Sequence, residues 1–125
     1  MPTTITTTGT KDCHPFLLKV GIYSPEAGYK FDVTVQLVCS AENTKTWKLL
    51  FHLFKKVKDD FVQIVSVEFE AETPQETKAL ETMSEEGVKI KQARALRQKV
   101  HPLVRDGADE KIVHKAIGKA LLAES

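Results

Sequence analysis

Two small sets of residues in this chain have types that could do chemistry. Cys13 and His14 are adjacent, a thiol beside an imidazole. That pairing activates a cysteine nucleophile when a third group orients the base. Asp32, His52 and Glu68 could serve as an acid–base set if one sheet face brought them together. Neither set has the spacing of a motif. The histidines, His14, His52, His101 and His114, fit no Cys-x-x-Cys or His-Glu-x-x-His frame, so no metal site is expected. Phosphate-cradling glycine loops and the nucleophile elbow are absent. The expectation is a chain with no catalytic residue, no metal and no cofactor. Cys13 reads as an ordinary loop cysteine beside a flexible tail, where a nucleophile would lack the packing that orients it.

A third set is electrostatic. Glu68 through Glu86 carries seven acids and one Lys, whereas Val88 through Arg105 carries six Lys or Arg and no acid. Acids early and bases late in a helix complement its dipole, so part of this order is helix stabilisation. On a helical wheel Lys91, Arg94, Arg97, Gln98, His101 and Arg105 share one arc, and Leu96, Val100 and Leu103 another. This is a basic amphipathic segment, and Lys91, Arg94, Arg97, His101 and Arg105 are its candidate electrostatic contacts. Lys111, Lys115 and Lys119 recur every four residues further on, as a solvated face does.

The elements that must position these groups follow from composition. All nine aromatics, six Phe, two Tyr and one Trp, fall between Phe16 and Phe69, and the last 56 residues have none. Aromatics favour strands, whereas the Ala, Leu, Lys, Arg and Glu of the second half favour helices. The expected architecture is a single α+β domain over 13–125, with a β half (13–72), a helical half (73–125) and a flexible tail over 1–12. At 125 residues, 42% hydrophobic, 28% charged and net charge +1, the chain can bury a core. It has no global field drawing it to nucleic acid or membrane. The Thr-rich Met1 to Thr10 lacks the apolar core of a secretory signal. No run approaches the roughly 18 apolar residues of a spanning helix. Cys39 continues an apolar alternation and reads as a buried thiol. A Cys13–Cys39 disulfide is the alternative, and the default compartment is reducing and cytoplasmic.

Phe31 to Ser40 alternates, with Phe31, Val33, Val35, Leu37 and Cys39 on one side, the pattern of a strand buried on one face. Phe16 to Tyr23 is its expected antiparallel partner across Ser24-Pro25-Glu26-Ala27-Gly28. Trp47 to Val57 and Phe61 to Glu72 read as a hairpin around Lys58-Asp59-Asp60. The helical spacing of Trp47, Leu50, Phe51, Phe54 and Val57 is the competing reading. A three-residue loop pairs Val57 with Phe61, Leu53 with Val65, Phe51 with Val67 and Leu49 with Phe69. It sets Phe54 opposite Ile64 on the second face. With Val38, Leu50, His52 and Val62, these form a surplus apolar face to be covered either inside the domain or by a partner.

Thr73-Pro74-Gln75-Glu76 predicts a helix start: N-cap, proline at the first turn and capping-box glutamate. Leu80, Met83, Ile90, Ala93, Leu96 and Val100 follow as one stripe of a long helix, with a kink or break near Ser84 to Gly87. Pro102 disfavours helix at His101, and Gly107 terminates. A last helix over about 108–123 buries Ile112, Val113, Ala116, Ile117, Ala120 and Leu121.

Three functions fit these readings. The favoured one is a non-enzymatic module that binds a protein partner or a second copy, as a homodimer, through Val38, Leu50, His52, Phe54, Val62 and Ile64. The alternative is a nucleic-acid binder using the basic helix; against it, acids open that helix and no aromatics interleave with its bases. The third is a small enzyme without a motif.

Overall fold

The computed structural model describes residues 16–39 and 44–123. The expected tail, Cys13, His14 and Ser40 lie outside the described residues. Alternating apolar residues build four strands, β1 (Phe16–Tyr23), β2 (Tyr29–Cys39), β3 (Lys45–Val57) and β4 (Asp60–Glu70). They form one antiparallel sheet in chain order. The segment that also fitted helical spacing is thus strand β3. Trp47, Leu49, Phe51 and Leu53 are buried and alternate with half-buried neighbours.

The β3–β4 hairpin has the expected register only in its inner half. Leu49 pairs with Phe69, Phe51 with Val67 and Leu53 with Val65. A bulge then follows, and Phe54 faces Gln63, Lys55 faces Val62, Lys56 faces Phe61 and Val57 faces Asp60. The loop is therefore the two residues Lys58 and Asp59, not three. Lys58 takes a left-handed backbone, φ 59°, as two-residue hairpin turns require. An even loop reverses parity, and the extra residue at Ile64 restores it. Beyond the bulge Phe61 moves to the face opposite the helices, and Val62 to the helix side.

The helical half begins as the capping signals predict. In α1 (Pro74–Glu86) the Thr73 side chain accepts from the Glu76 N–H at 3.1 Å. Glu76 reaches back one residue further than a standard capping box and accepts from the Glu72 N–H at 2.9 Å. The expected long helix is broken: α1 ends at Gly87, φ 81° and ψ −171°. A new helical run begins with α2 (Ile90–Ala95), continues through a π-turn over Leu96–Val100 and ends as α3 (His101–Arg105). Pro102 does not stop it. The wide turn, closed by the His101 N–H on the Leu96 carbonyl, absorbs the clash a proline makes with the preceding turn. Gly107, φ 74°, ends the run with N–H bonds from Gly107 to Val104 and from Ala108 to Leu103, a Schellman close. The last helix, α4 (Glu110–Leu121), is capped by Asp109.

The helices cover one sheet face. Phe31, Val33, Val35, Leu49, Phe51 and Leu53 are fully buried there against Leu80, Met83, Leu96, Val100 and Ile117. Each such side chain contributes roughly 1.5–3 kcal/mol by leaving water. Three stripe members fall outside this core: Ile90 is 74% exposed, Ile112 is 54% exposed and Ala93 is only half-buried. The break at Gly87 re-aims the first, and the second faces α2 and α3 across a surface groove. Cys39 is half-buried at the rim of β2 and disulfide-bonded, not the free buried thiol expected.

Candidate interaction surface

Among the described residues, no helix lies on the second sheet face. Antiparallel pairing stacks its residues in rows across the strands. One row runs Lys19, Thr34, Leu50, Glu68; the next runs Ile22, Asp32, His52, Ser66; a third holds Lys30, Phe54 and Gln63. A bulge in β1 after Lys19 leaves both Leu17 and Ile22 on this face, and Tyr23 packs into the core, its ring 5.3 Å from Phe31. Leu17 and Ile22 are 60% and 58% exposed, and Phe61 is 39% exposed. Val38, Leu50, His52 and Phe54 are half-buried among their neighbours.

Of the six expected contact residues, Val38, Leu50, His52 and Phe54 share this face. Val62 and Ile64 do not join them in the expected way: the bulge turns Val62 away and leaves Ile64 without a cross-strand partner in the register. Phe61 takes their place. The Lys30 ammonium lies 4.8 Å from the Phe61 ring centroid and 5.5 Å from that of Phe54, so one cation sits against two aromatic faces. Alternation alone could not place Phe61 here or put Leu17 and Ile22 on one face, because a bulge is needed for each.

The three groups considered for acid–base work also lie on this face, in adjacent rows. His52 Nδ1 and Ser66 Oγ are 3.0 Å apart. Asp32, across from His52, pairs instead with Lys19 at 3.5 Å, and its Oδ1 is buried without a hydrogen-bond partner among the described residues. Glu68 pairs with Lys48 at 3.1 Å. A serine, a histidine and an aspartate thus share one row. Nucleophilic catalysis also needs the aspartate to orient the histidine and donors for an oxyanion. The Asp32 carboxylate is turned to Lys19 instead.

The basic arc does not survive as one surface. Lys91, Arg94 and Arg97 are exposed. His101 is 2% exposed and packs between Tyr29 and Phe31. Its Nε2 is 2.7 Å from Glu26 Oε2. Arg105 donates to the same Glu26 oxygen at 2.6 Å and holds Asp106 through a second pair of bonds. Hydrogen bonds from His101 first, then Arg105, hold the Glu26 carboxyl below its usual range. Arg105 does the same for Asp106 and is itself driven further toward the charged form. His101 is thus buried, and Arg105, though exposed, is ion-paired to Glu26 and Asp106, so two of the five expected contacts are used within the fold.

Among the described residues, no helix is long and apolar enough to cross a membrane, and no cluster of three His, Cys, Asp or Glu is arranged to hold a metal. No protein-family model, curated protein or solved structure matches the chain.

Proposed function

We propose that this chain is a non-enzymatic interaction module that pairs with a second copy of itself through the open sheet face. The observation that carries the reading is the set Leu17, Ile22, Leu50, Phe54 and Phe61 on a face that no described helix or loop covers. Apolar groups of this size gathered on one face favour association over exposure to water.

Three features favour a second copy. Both edge strands carry a bulge, β1 after Lys19 and β4 at Ile64, and bulges blunt edge-to-edge pairing. The face is then the remaining route. Its charge is self-complementary: in the row Lys19, Thr34, Leu50, Glu68, the base and the acid occupy opposite edges. A two-fold axis along the strands, between β2 and β3, lays Glu68 of one copy over Lys19 of the other. The size is also adequate. Four strands about 4.8 Å apart and about 11 residues long, at ~3.4 Å per residue, make a face of roughly 700 Å², near the ~800 Å² per partner of stable interfaces.

Size-exclusion chromatography with light scattering tests the reading on the wild type and on Phe54→Glu. The expected wild-type particle has twice the 14.0 kDa of one chain, and the variant is monomeric with unchanged circular dichroism. A wild type that stays monomeric at high concentration overturns self-association.

A further inference from the structure

A second surface lies on the opposite side of the molecule, on the outside of the helical layer. Gln92 donates to the Leu121 carbonyl at 2.8 Å, tying the start of α2 to the end of α4, so the two helical runs lie antiparallel. Between them runs a groove of about 470 Å³. Its floor is aliphatic, from Ala95 and Leu103 on one wall and Ile112, Ala116 and Ala120 on the other. The polar residues of its lining are three lysines, Lys99, Lys115 and Lys119, all exposed. Among the described residues none of the three is ion-paired to a carboxylate. Ile112, more than half exposed, opens into this groove and not into solvent alone.

We infer that this groove receives an acidic amphipathic helix from a different protein. The walls are two parallel ridges about two helical turns long, roughly 12 Å at ~1.5 Å per residue. A third helix laid between them completes a helix layer by ridge-into-groove packing. Small alanines on the floor let its backbone come close. Aliphatic anchors one turn apart fill the floor, and acids flanking that stripe meet the three lysines, the pattern of helix-in-groove recognition. A phosphate backbone fits less well, because the floor is apolar and the lining has no aromatic for a base to stack on.

None of the described helices supplies that occupant. The acidic helix, α1, turns Leu80 and Met83 into its own core and has no free apolar stripe. Residues 1–15 contain one Lys and one Asp, too little charge to complement the rim. The groove shares no residue with the open sheet face, so the inference stands or falls apart from self-association.

Fluorescence anisotropy tests it with the full chain and a dye-labelled synthetic peptide of about four helical turns, with Leu on one stripe and Glu on both flanks. Three controls accompany it: a scramble of the same composition, the same peptide with Lys for Glu, and a duplex DNA oligonucleotide. The expected result is saturable binding of the acidic amphipathic peptide, at least about tenfold tighter than any control. It should weaken at least about tenfold in Lys99→Glu/Lys119→Glu and in Ile112→Lys. These are exposed positions, so the variants keep the wild-type circular dichroism. Binding should persist in Phe54→Glu. No binding of the amphipathic peptide, equal binding of the scramble, tighter binding of the DNA, or indifference to the groove variants overturns the inference.

Discussion

Glu26 Oε2 stands 2.7 Å from His101 Nε2, across 75 positions of sequence. The contact pins the turn between β1 and β2 to the end of the kinked helical run, and Arg105 closes on the same oxygen. A carboxyl whose pKa is lower in the folded than in the unfolded chain favours folding at every pH above the unfolded value. That gain drains away as the pH falls through the folded one. Glu26, held below its ordinary 4.5, therefore stabilises the fold at neutral pH, and the stabilisation fades on acidification below about that value. Asp106 adds a second carboxyl of the same sign. In urea titrations Glu26→Gln should be less stable than wild type at neutral pH, and the two should converge below the ordinary Glu range. Curves that remain parallel down to acid would refute a charged Glu26 in the latch.

The tip of the β3–β4 hairpin contains a residue out of character with its backbone. Lys58, at φ 59°, has a conformation that costs an L-residue roughly 1–2 kcal/mol relative to glycine. Its side chain is exposed. Part of the relief is lost to the greater freedom of glycine in the unfolded chain. Lys58→Gly should raise stability by about 0.5–1 kcal/mol in equilibrium denaturation. A three-residue loop would place no such demand on Lys58, so a destabilised variant counts against the two-residue turn.

Phe51 lies at the centre of the covered face, with no exposed surface and its ring 4.6 Å from that of Phe31. Helices above and strands on both sides leave little room for collapse into a cavity. Phe51→Ala should cost about 3–5 kcal/mol, measured by denaturant unfolding, and Phe51→Leu markedly less. A small loss for the alanine variant would mean that the helical layer does not sit on this face.

Much of this architecture was legible because period-two alternation survives in long strands. Trp47 through Leu53 and Phe31 through Leu37 put their large side chains where the pattern said. The pattern fails at bulges, since one extra residue reverses every later side chain. Val62 and Phe61 exchange faces for that reason, and in β1 a bulge puts Leu17 and Ile22, five positions apart, on one face. Nothing in single-residue propensities marks Ile64 or Val20 as the extra one. The helical stripe failed differently. Ile90 and Ile112 have the right spacing but lie past a break or on the outer wall of a groove, and spacing does not say where a helix ends. On a helical wheel His101 shares its arc with Lys91, Arg94, Arg97 and Arg105, which points it outward. Its partner, Glu26, lies in a turn between strands, out of reach of any local rule.

Gly87 decides between one helix and two, and the two alternatives predict opposite signs. In the interior of a continuous helix, glycine is about 1 kcal/mol worse than alanine, so Gly87→Ala would stabilise. The observed backbone at Gly87, φ 81° and ψ −171°, belongs to a region that glycine alone occupies without strain, and other residues there cost about 1–3 kcal/mol. Space is not the obstacle, since an added Cβ meets only the Val20 carbonyl oxygen at 3.6 Å. The penalty is conformational. Gly87→Ala should therefore destabilise by about 1–3 kcal/mol in urea unfolding while leaving the native circular dichroism intact. A stabilised variant would mean that α1 runs on into α2. It would also rotate the basic residues of the second half, Lys91 and Arg94 first, away from the outer surface where they now lie.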